Sequence, residues 1–189
     1  MTDVASDNAI DPGAAGHPES PDGLQRLWAP WRHGYVSTPR DGNDEPDGCP
    51  FCVLPARDDD RESLILHRGE HAYVICNAYP YNPGHVMVIP FTHEPDLEGL
   101  DEDAFDEVWR LARRAVVALK SELGCQGVNL GANLGRAAGA GIAPHLHLHA
   151  VPRWGGDTNF MSVVGAARVL PVALDEMYES LSDPTLWRD

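Results

Sequence analysis

The spacing of apolar residues predicts one long amphipathic helix in the middle of the chain. Between Asp101 and Leu123, apolar side chains recur every three or four residues, as they do on one face of a helix. Asp101 is a residue type that caps helix starts, and Gly124 is a residue type that ends helices. The expected apolar face comprises Phe105, Val108, Trp109, Ala112, Val116 and Leu119. Such a face needs a partner, so the helix is expected to pack on another layer.

Four segments are rich in β-forming residues and bounded by turn residues. They are 72–77, 85–90, 127–134 and 145–151. The turn-rich stretch 79–84 joins the first two, which predicts a hairpin, and residues 175–181 are expected to form a short terminal helix. We therefore predict an α+β fold, in which an antiparallel sheet of about five strands packs against the long helix.

The N-terminal part of the chain differs from the rest in composition. Residues 1–23 are rich in Asp, Ala, Gly and Pro and show no hydrophobic period, which predicts a disordered acidic tail. Residues 24–189 are expected to form a single domain. Near its start lie Trp28 and Trp31, whose rings need burial against the core or against a partner.

Charge and hydropathy narrow the classes of partner. The 189 residues include 29 acidic and 14 basic side chains, a net charge of −15, whereas general nucleic-acid binders present a basic face. No apolar run approaches the ~20 residues of a membrane span, and residues 1–23 lack the basic and apolar segments of a secretory signal. We expect a cytoplasmic protein with no nucleic-acid partner and no membrane partner.

Alternating histidines form the sharpest motif of the chain. His145, His147 and His149 alternate with Leu146 and Leu148, and alternate side chains of a strand share a face at a spacing of ~6.5–7 Å. The imidazoles are expected to line one face, with the leucines in the core behind them. Because a buried imidazole needs polar partners, three on one face favour a ligand over packing. A pure metal site is the competing functional interpretation.

A CxxC pair, Cys49 and Cys52, is a second candidate site. Tetrahedral zinc needs four ligands, and His93 and His145 are candidates for the other two. A redox pair or a chance spacing is the alternative for CxxC taken by itself.

A glycine-rich stretch, residues 131–141 (GANLGRAAGAG), directly precedes the histidines. Glycines let a loop approach a ligand closely and present amide N–H groups to phosphate. The stretch is not a Walker A motif, because no Gly-Lys-Ser/Thr follows. A tight connection built from small residues is the alternative.

Together these motifs resemble the histidine-triad (HIT) family. HLHLHAVPRW matches its signature, in which alternating histidines are followed by apolar residues. Three more segments occur in the family's order and spacing, namely NAYPYNPGHVMVIP, NLGRAAGAG and PRWGGDTNF, and LWAPWR adds to the resemblance. The similarity spans residues 24–180. It favours the bacterial branch that includes diadenosine tetraphosphate phosphorylases, particularly around Trp154 and Asn159.

The resemblance implies roles for individual residues. His147 corresponds to the family's nucleophile and His149 to the residue that contacts the reacting phosphate. The implied ligands of a structural Zn²⁺ are Cys49, Cys52, His93 and His145. The implied nucleotide and phosphate contacts are Asn77, Asn133, Gly139, Gly141, Ile142, His149 and Trp154. Many members carry a Ser shortly before the histidines, whereas residues 141–144 here are Gly-Ile-Ala-Pro.

The implied reaction breaks a phosphoanhydride bond through a nucleotidyl-His147. A neutral imidazole is a good nucleophile if a backbone carbonyl holds its Nδ1–H and leaves Nε2 free. The main hypothesis is that inorganic phosphate splits a dinucleoside polyphosphate, turning diadenosine tetraphosphate into ADP and ATP. One alternative is a hydrolase or phosphoramidase that uses water and releases AMP. Another is a nucleotide- or zinc-binding interaction protein without catalysis, against which the intact His147 and His149 argue.

The resemblance also implies a homodimer, because the family commonly forms one. The helix over 101–123 and the segment with Trp28 and Trp31 are the candidate contacts.

Overall fold

The computed structural model describes residues 48–57, 59–158, 170 and 172–188. The predicted tail, Trp28, Trp31 and Asn159 lie outside the described residues, so the tail and the domain boundary at residue 24 stay predictions. The helices are α1 (Pro50–Ala56), α2 (Asp60–Ser63), α3 (Glu102–Leu123) and α4 (Leu174–Leu181). The strands are β1 (Ile65–Arg68), β2 (Ala72–Cys76), β3 (Val86–Pro90), β4 (Gly127–Ala132) and β5 (Leu148–Arg153). Within the described residues, no helix is both long enough and apolar enough to cross a bilayer.

The five strands form one sheet in the order β1-β2-β3-β5-β4, and every neighbouring pair is antiparallel. β2 and β3 form the predicted hairpin, with Ala72 opposite Pro90 at one end and Cys76 opposite Val86 at the other. The α+β prediction of an antiparallel sheet with about five strands and one long helix is therefore confirmed.

The long helix has the predicted ends. The Asp101 carboxylate accepts a hydrogen bond from the Ala104 N–H at 2.7 Å, which satisfies a helix N–H that lacks an intrahelical partner. Gly124 ends the helix in the left-handed region, at φ 58°, a conformation that glycine adopts without a steric penalty. A cap at each end explains why α3 begins and ends within one residue of the predicted limits.

The buried face of α3 differs from the predicted one in its large residues. Its apolar members are Ala104, Val108, Leu111, Ala112, Ala115, Ala118 and Leu119. Phe105 and Trp109 are instead 39% and 38% exposed. The buried alanines let the helix lie close to the sheet. The Phe105 and Trp109 rings pack on each other outside this buried face, with centroids 6.2 Å apart.

The strand that carries the histidines begins later than predicted. β5 starts at Leu148, so His145 and His147 precede it and the prediction of one strand over 145–151 was wrong at its start. The reason is that the backbone there makes other hydrogen bonds. The Leu146 N–H donates to the Glu94 carbonyl at 2.7 Å instead of joining the sheet ladder. β1 and α1 had not been predicted.

The two faces of the sheet carry different residues. One face packs on α3 and forms the larger core, which includes Val74, Val88 and Leu148. The other face carries Tyr73, Ile75, Met87 and Ile89 and packs on α1 through Phe51. In the sheet, His149 lies opposite Met87. Because successive strand residues alternate between faces, His149 lies on the face away from α3.

Candidate active site

His147 is buried, and a backbone carbonyl holds its ring. Its Nδ1 lies 2.8 Å from the carbonyl oxygen of His145. A carbonyl only accepts hydrogen bonds, so Nδ1 carries the proton and Nε2 keeps the lone pair. Phe51 packs against the ring with centroids 5.1 Å apart and also contacts His145. The tautomer that a nucleophilic imidazole needs is therefore built into the fold, as expected from the sequence.

A second histidine pair lies beside His147, with the His147 and His149 ring centroids 4.9 Å apart. His85 Nδ1 accepts from the Tyr81 N–H at 3.1 Å and contacts the Asn77 amide nitrogen at 3.3 Å. His85 in its neutral form then carries its proton on Nε2, which lies 2.9 Å from His149 Nδ1. His149 therefore carries its proton on Nε2. That atom is buried and has no hydrogen-bond partner among the described residues.

Burial keeps these imidazoles neutral at pH 7. It is the largest cause that lowers the pKa of His85 to about 3, with smaller contributions from His149 and His147. Burial and His147 lower the pKa of His149 to about 4. The pKa of His147 is also lowered by burial, although its hydrogen bond to the His145 carbonyl opposes the change. The site thus holds a nucleophilic lone pair beside a buried N–H donor, a combination suited to an anionic ligand.

The four predicted zinc ligands come together. The ligand atoms of Cys49, Cys52, His93 and His145 all lie within 4.8 Å of one another. Cys52 Sγ is 3.2 Å from His93 Nδ1 and 3.5 Å from His145 Nδ1, and Cys49 Sγ is 3.4 Å from His145 Nδ1. Around a tetrahedral zinc such atoms are about 3.4–3.8 Å apart. The four side chains therefore fit a closed tetrahedral metal site.

The tautomer of His145 also suits a metal. Its Nε2 lies 2.9 Å from the Pro90 carbonyl, so Nε2 carries the proton and the Nδ1 lone pair points to the thiols. Burial is the main cause that lowers the pKa of His145 to about 4, which keeps the ring in the neutral form that metals bind. The cluster joins α1 to the segment that leads into β5.

Asn77 lies at the start of the β2–β3 loop, beside His85. Its side-chain oxygen accepts from the Tyr79 N–H at 2.9 Å, and its amide nitrogen contacts His85. The Tyr81 ring covers the histidine pair, with centroids 4.7 Å from His85 and 5.8 Å from His149. Tyr79, at the tip, is 87% exposed. This loop therefore shapes one side of the candidate site.

Asn133 follows β4 and is half-buried. β4 pairs with β5 so that Ala132 lies opposite Leu148. The next residues in this register are Asn133 and His147. Asn133 therefore follows β4 at the same end of the sheet at which His147 precedes β5.

The glycine-rich loop uses several of its amides internally. The Gly139 N–H donates to the Arg136 carbonyl at 3.0 Å, and Gly139 has φ 93°, which favours glycine. Gly141 is half-buried. Ile142 packs against the core on the histidine side of the sheet, and its carbonyl accepts from the His145 N–H. The loop is thereby tied to the histidine segment through Ile142.

Trp154 lies beyond the end of β5. Its side chain packs against the core on the α3 side, and its backbone N–H donates to the Asp157 carboxylate at 3.2 Å. Its described contacts are thus with the core and the turn at 154–157 rather than with the histidines.

Two buried residues of the site had not been singled out from the sequence, namely His85 and Phe51. A period of two places His85 on the same face as Met87 and Ile89, which was a usable signal. The period of two could not show that β3 lies beside β5, which is what brings His85 to His149. Phe51 lies inside the CxxC pair, and only the folded chain brings its ring into contact with both His145 and His147.

The chain is similar in sequence to known proteins. Residues 59–156 match the model of the HIT domain. The AP-4-A phosphorylase of Mycobacterium tuberculosis is 41% identical over 157 residues, which cover 81% of this chain and 80% of that protein. The Bis(5'-adenosyl)-triphosphatase of Dictyostelium discoideum is 29% identical over 93 residues, 49% of this chain and 62% of that protein.

A solved structure also resembles this one. A Zn-bound histidine triad family protein from Mycobacterium smegmatis superposes with a TM-score of 0.59 at 25% identity. The match covers 73% of this chain and 93% of that one.

Proposed function

Because the chain belongs to the HIT domain family, we propose that it is a nucleotidyltransferase in which phosphate splits diadenosine tetraphosphate into ADP and ATP. The observation that carries the proposal is the paired arrangement of His147 and His149. The first offers an Nε2 lone pair and the second a buried, unpartnered N–H. The relative at 41% identity bears the name AP-4-A phosphorylase, which supports this choice of substrate.

In the first step, Nε2 of His147 attacks an α-phosphorus of the substrate. An N–P bond forms, the bond from that phosphorus to the bridging oxygen breaks, and ATP leaves with the electron pair. The adenylylated ring is cationic and keeps its Nδ1–H bonded to the His145 carbonyl, which stabilises the charge. In the second step, an oxygen of inorganic phosphate attacks the same phosphorus. The N–P bond breaks, ADP is released, and Nε2 regains its lone pair.

His149 stabilises the charge that develops on the reacting phosphate. Its Nε2–H has no partner among the described residues, so it can donate to a non-bridging oxygen without first breaking a hydrogen bond. His85 holds the opposite side of the ring and thereby keeps the donor proton on Nε2.

We expect His149→Ala to lower kcat by ~10²–10³-fold, the range for losing one preorganised donor. KM for the dinucleotide should change less, because the other predicted nucleotide contacts remain. Steady-state kinetics checks both values, with His71→Ala as the control. The His71 side chain is partly exposed and lies before β2, so this variant should keep normal turnover. An unchanged kcat in His149→Ala would refute the role of the donor.

The nucleotide contacts are proposed from the resemblance and from position. Asn77 would hold the ribose hydroxyls, and Asn133 the phosphates. The loop at 139–142, with Gly139, Gly141 and Ile142, would contribute phosphate contacts. Trp154 is proposed as a nucleotide contact from the resemblance alone.

The metal that fits the cysteine-histidine cluster is zinc, in a structural role. Two thiolates and two imidazoles are ligands that zinc prefers, and four protein ligands leave no open position for substrate. When bound, zinc would link α1 to His145 and so fix Phe51 against the His147 ring. The catalytic steps are carried by the chain's own residues.

Product analysis tests the choice between phosphate and water as acceptor. With diadenosine tetraphosphate and inorganic phosphate we expect equal amounts of ADP and ATP, because the adenylyl group passes to phosphate. Without phosphate, turnover should fall strongly. Chromatography of the nucleotides measures both results, and ³²P from labelled phosphate should appear in the β-position of ADP. AMP plus ATP as the products in the presence of phosphate would identify a hydrolase instead.

We also expect a homodimer. β4 is an edge strand of the sheet, and its Leu130 is 41% exposed. The exposed Phe105 and Trp109 give α3 an apolar outer surface. Multi-angle light scattering at micromolar concentration should give the mass of two 20.6 kDa chains. A single-chain mass at that concentration would contradict the expectation.

A further inference from the structure

Asn82 is a buried polar residue that the proposed reaction does not use. It is 4% exposed and lies in the β2–β3 loop, three residues before His85. Its amide nitrogen donates to the Pro152 carbonyl at 3.0 Å and to the Asp157 carboxylate at 2.7 Å, so both amide hydrogens are bonded. These two bonds fasten the β2–β3 loop to the end of β5 and to the turn that follows.

The Asp157 carboxylate that accepts from Asn82 is itself held by other hydrogen bonds. Arg153 binds the carboxylate with two nitrogens, at 2.6 and 2.8 Å, and the backbone N–H of Trp154 donates to it as well. The hydrogen bonds from Arg153 are the main cause that holds the pKa of Asp157 well below its usual range. At neutral pH the Asp157 carboxylate is therefore ionised and accepts the hydrogen bond from Asn82. Arg153 also bonds the Asn129 side chain on β4, at 2.8 Å.

The Asn82 anchor acts on the histidines through the backbone of its own loop. The backbone carbonyl of Asn82 accepts from the backbone N–H of His85 at 3.1 Å. The residue before it, Tyr81, points its N–H at His85 Nδ1 and covers the His149 ring. That N–H decides which nitrogen of His85 carries the proton, and His85 in turn decides which nitrogen of His149 does.

We propose that Asn82, anchored by Asp157, is a positioning residue that sets the tautomers of His85 and His149 and so aims the His149 Nε2–H at the reacting phosphate. It touches neither substrate nor reacting atoms. The same anchor links the turn at 154–157 to the histidine pair, so the loop and the turn are held in one arrangement. The catalytic consequence rests on the proposed function, whereas the tautomer of His85 does not.

The first test is spectroscopic and needs no activity. Long-range ¹H–¹⁵N correlation of the imidazoles in the ¹⁵N-labelled full chain, with His85 assigned by its loss in His85→Gln, should show wild-type His85 protonated on Nε2 alone. In Asn82→Ala the loop loses its anchor, and the His85 nitrogens should shift towards averaged values of two exchanging tautomers. Asn129→Ala is the matched control. It removes a hydrogen bond from the far side of the same network and should leave the His85 signals unchanged.

The second test is kinetic. Asn82→Ala should lower kcat by ~10–100-fold, with a smaller change in KM, as a displaced supporting group does. Asp157→Ala should reproduce part of this loss, and Asp157→Asn, which keeps an oxygen facing Asn82, should recover most of it. Asn129→Ala should retain wild-type kcat.

Two results would overturn the inference. One is that the Asn82→Ala protein, shown to be folded by its thermal unfolding transition, keeps the wild-type tautomer of His85. The other is a kcat loss in Asn82→Ala that is no larger than in Asn129→Ala. If the wild-type chain lacked diadenosine tetraphosphate phosphorolysis altogether, the proposed function would fail, while the tautomer measurement would still decide the role of Asn82.

Discussion

Replacing His147 by alanine is expected to lower kcat by ~10⁴–10⁶-fold, the range seen when an enzyme loses its nucleophile. Among the described residues of the site, no other group of the variant can carry the adenylyl moiety, because His149 points a protonated nitrogen at the site and His85 bonds to His149. Nucleotide binding should largely survive, since the predicted contacts at Asn77 and Asn133 remain. Steady-state kinetics measures the loss in turnover, and isothermal titration calorimetry measures binding.

The covalent intermediate can be detected directly. Wild-type protein mixed with labelled diadenosine tetraphosphate in the absence of phosphate, and quenched without acid, should carry an acid-labile, base-stable label on His147. Such lability is typical of a phosphoramidate bond. His71→Ala should label as the wild type does, and His147→Ala should not label. Near-normal turnover in His147→Ala, or a label on a different residue, would show that the covalent mechanism is wrong.

Loss of the metal is expected to have the largest effect on stability. Protein purified without chelator should contain about one zinc per chain, and Cys52→Ala should contain little, because the remaining three ligands leave the site open. A metal present at ~1,000 times its Kd stabilises the fold by ~4 kcal/mol. At ~2–4 °C per kcal/mol for a chain of this size, Tm should fall by ~8–16 °C. Elemental analysis and calorimetry measure the two effects.

Cys125→Ala is the control for the metal prediction. Cys125 is a buried thiol in the core on the α3 side, away from the cluster, so the variant should keep about one metal per chain. X-ray absorption should give distances of ~2.3 Å to sulfur and ~2.0–2.1 Å to nitrogen. Wild-type protein without bound metal, or a Cys52→Ala variant with undiminished metal, would contradict the assignment.

The elements that the sequence predicted well are those with local signals. α3 could be predicted to within one residue because its apolar period, its Asp101 cap and its Gly124 terminator all lie within the segment itself. The β2–β3 hairpin was predictable because its turn residues lie between the two strands. β1 is only four residues long, Ile65–Arg68, and lacks a comparable local signal.

The candidate site was predictable in its residue types but, apart from the bond between His147 and a backbone carbonyl, not in its hydrogen bonds. Alternating histidines indicated a ligand-binding face, and the resemblance assigned His147 and His149 their roles. The Asn82 anchor had no signal in the sequence, because an asparagine in a loop is most simply explained as a turn residue. Only its burial and its bonds to Pro152 and Asp157 set it apart.

By itself, the sequence determined the pattern of helices and strands, the capped ends of the long helix, the histidine motif and the CxxC pair, because each of these is encoded by residues a few positions apart. The tertiary structure alone decided which ring nitrogen carries the proton in His85 and in His149. His85 and His149 are 64 residues apart in the chain and meet only because β3 pairs with β5. A tautomer depends on the partner at each ring nitrogen, and those partners come from strands and loops whose order in the sheet is set by long-range packing.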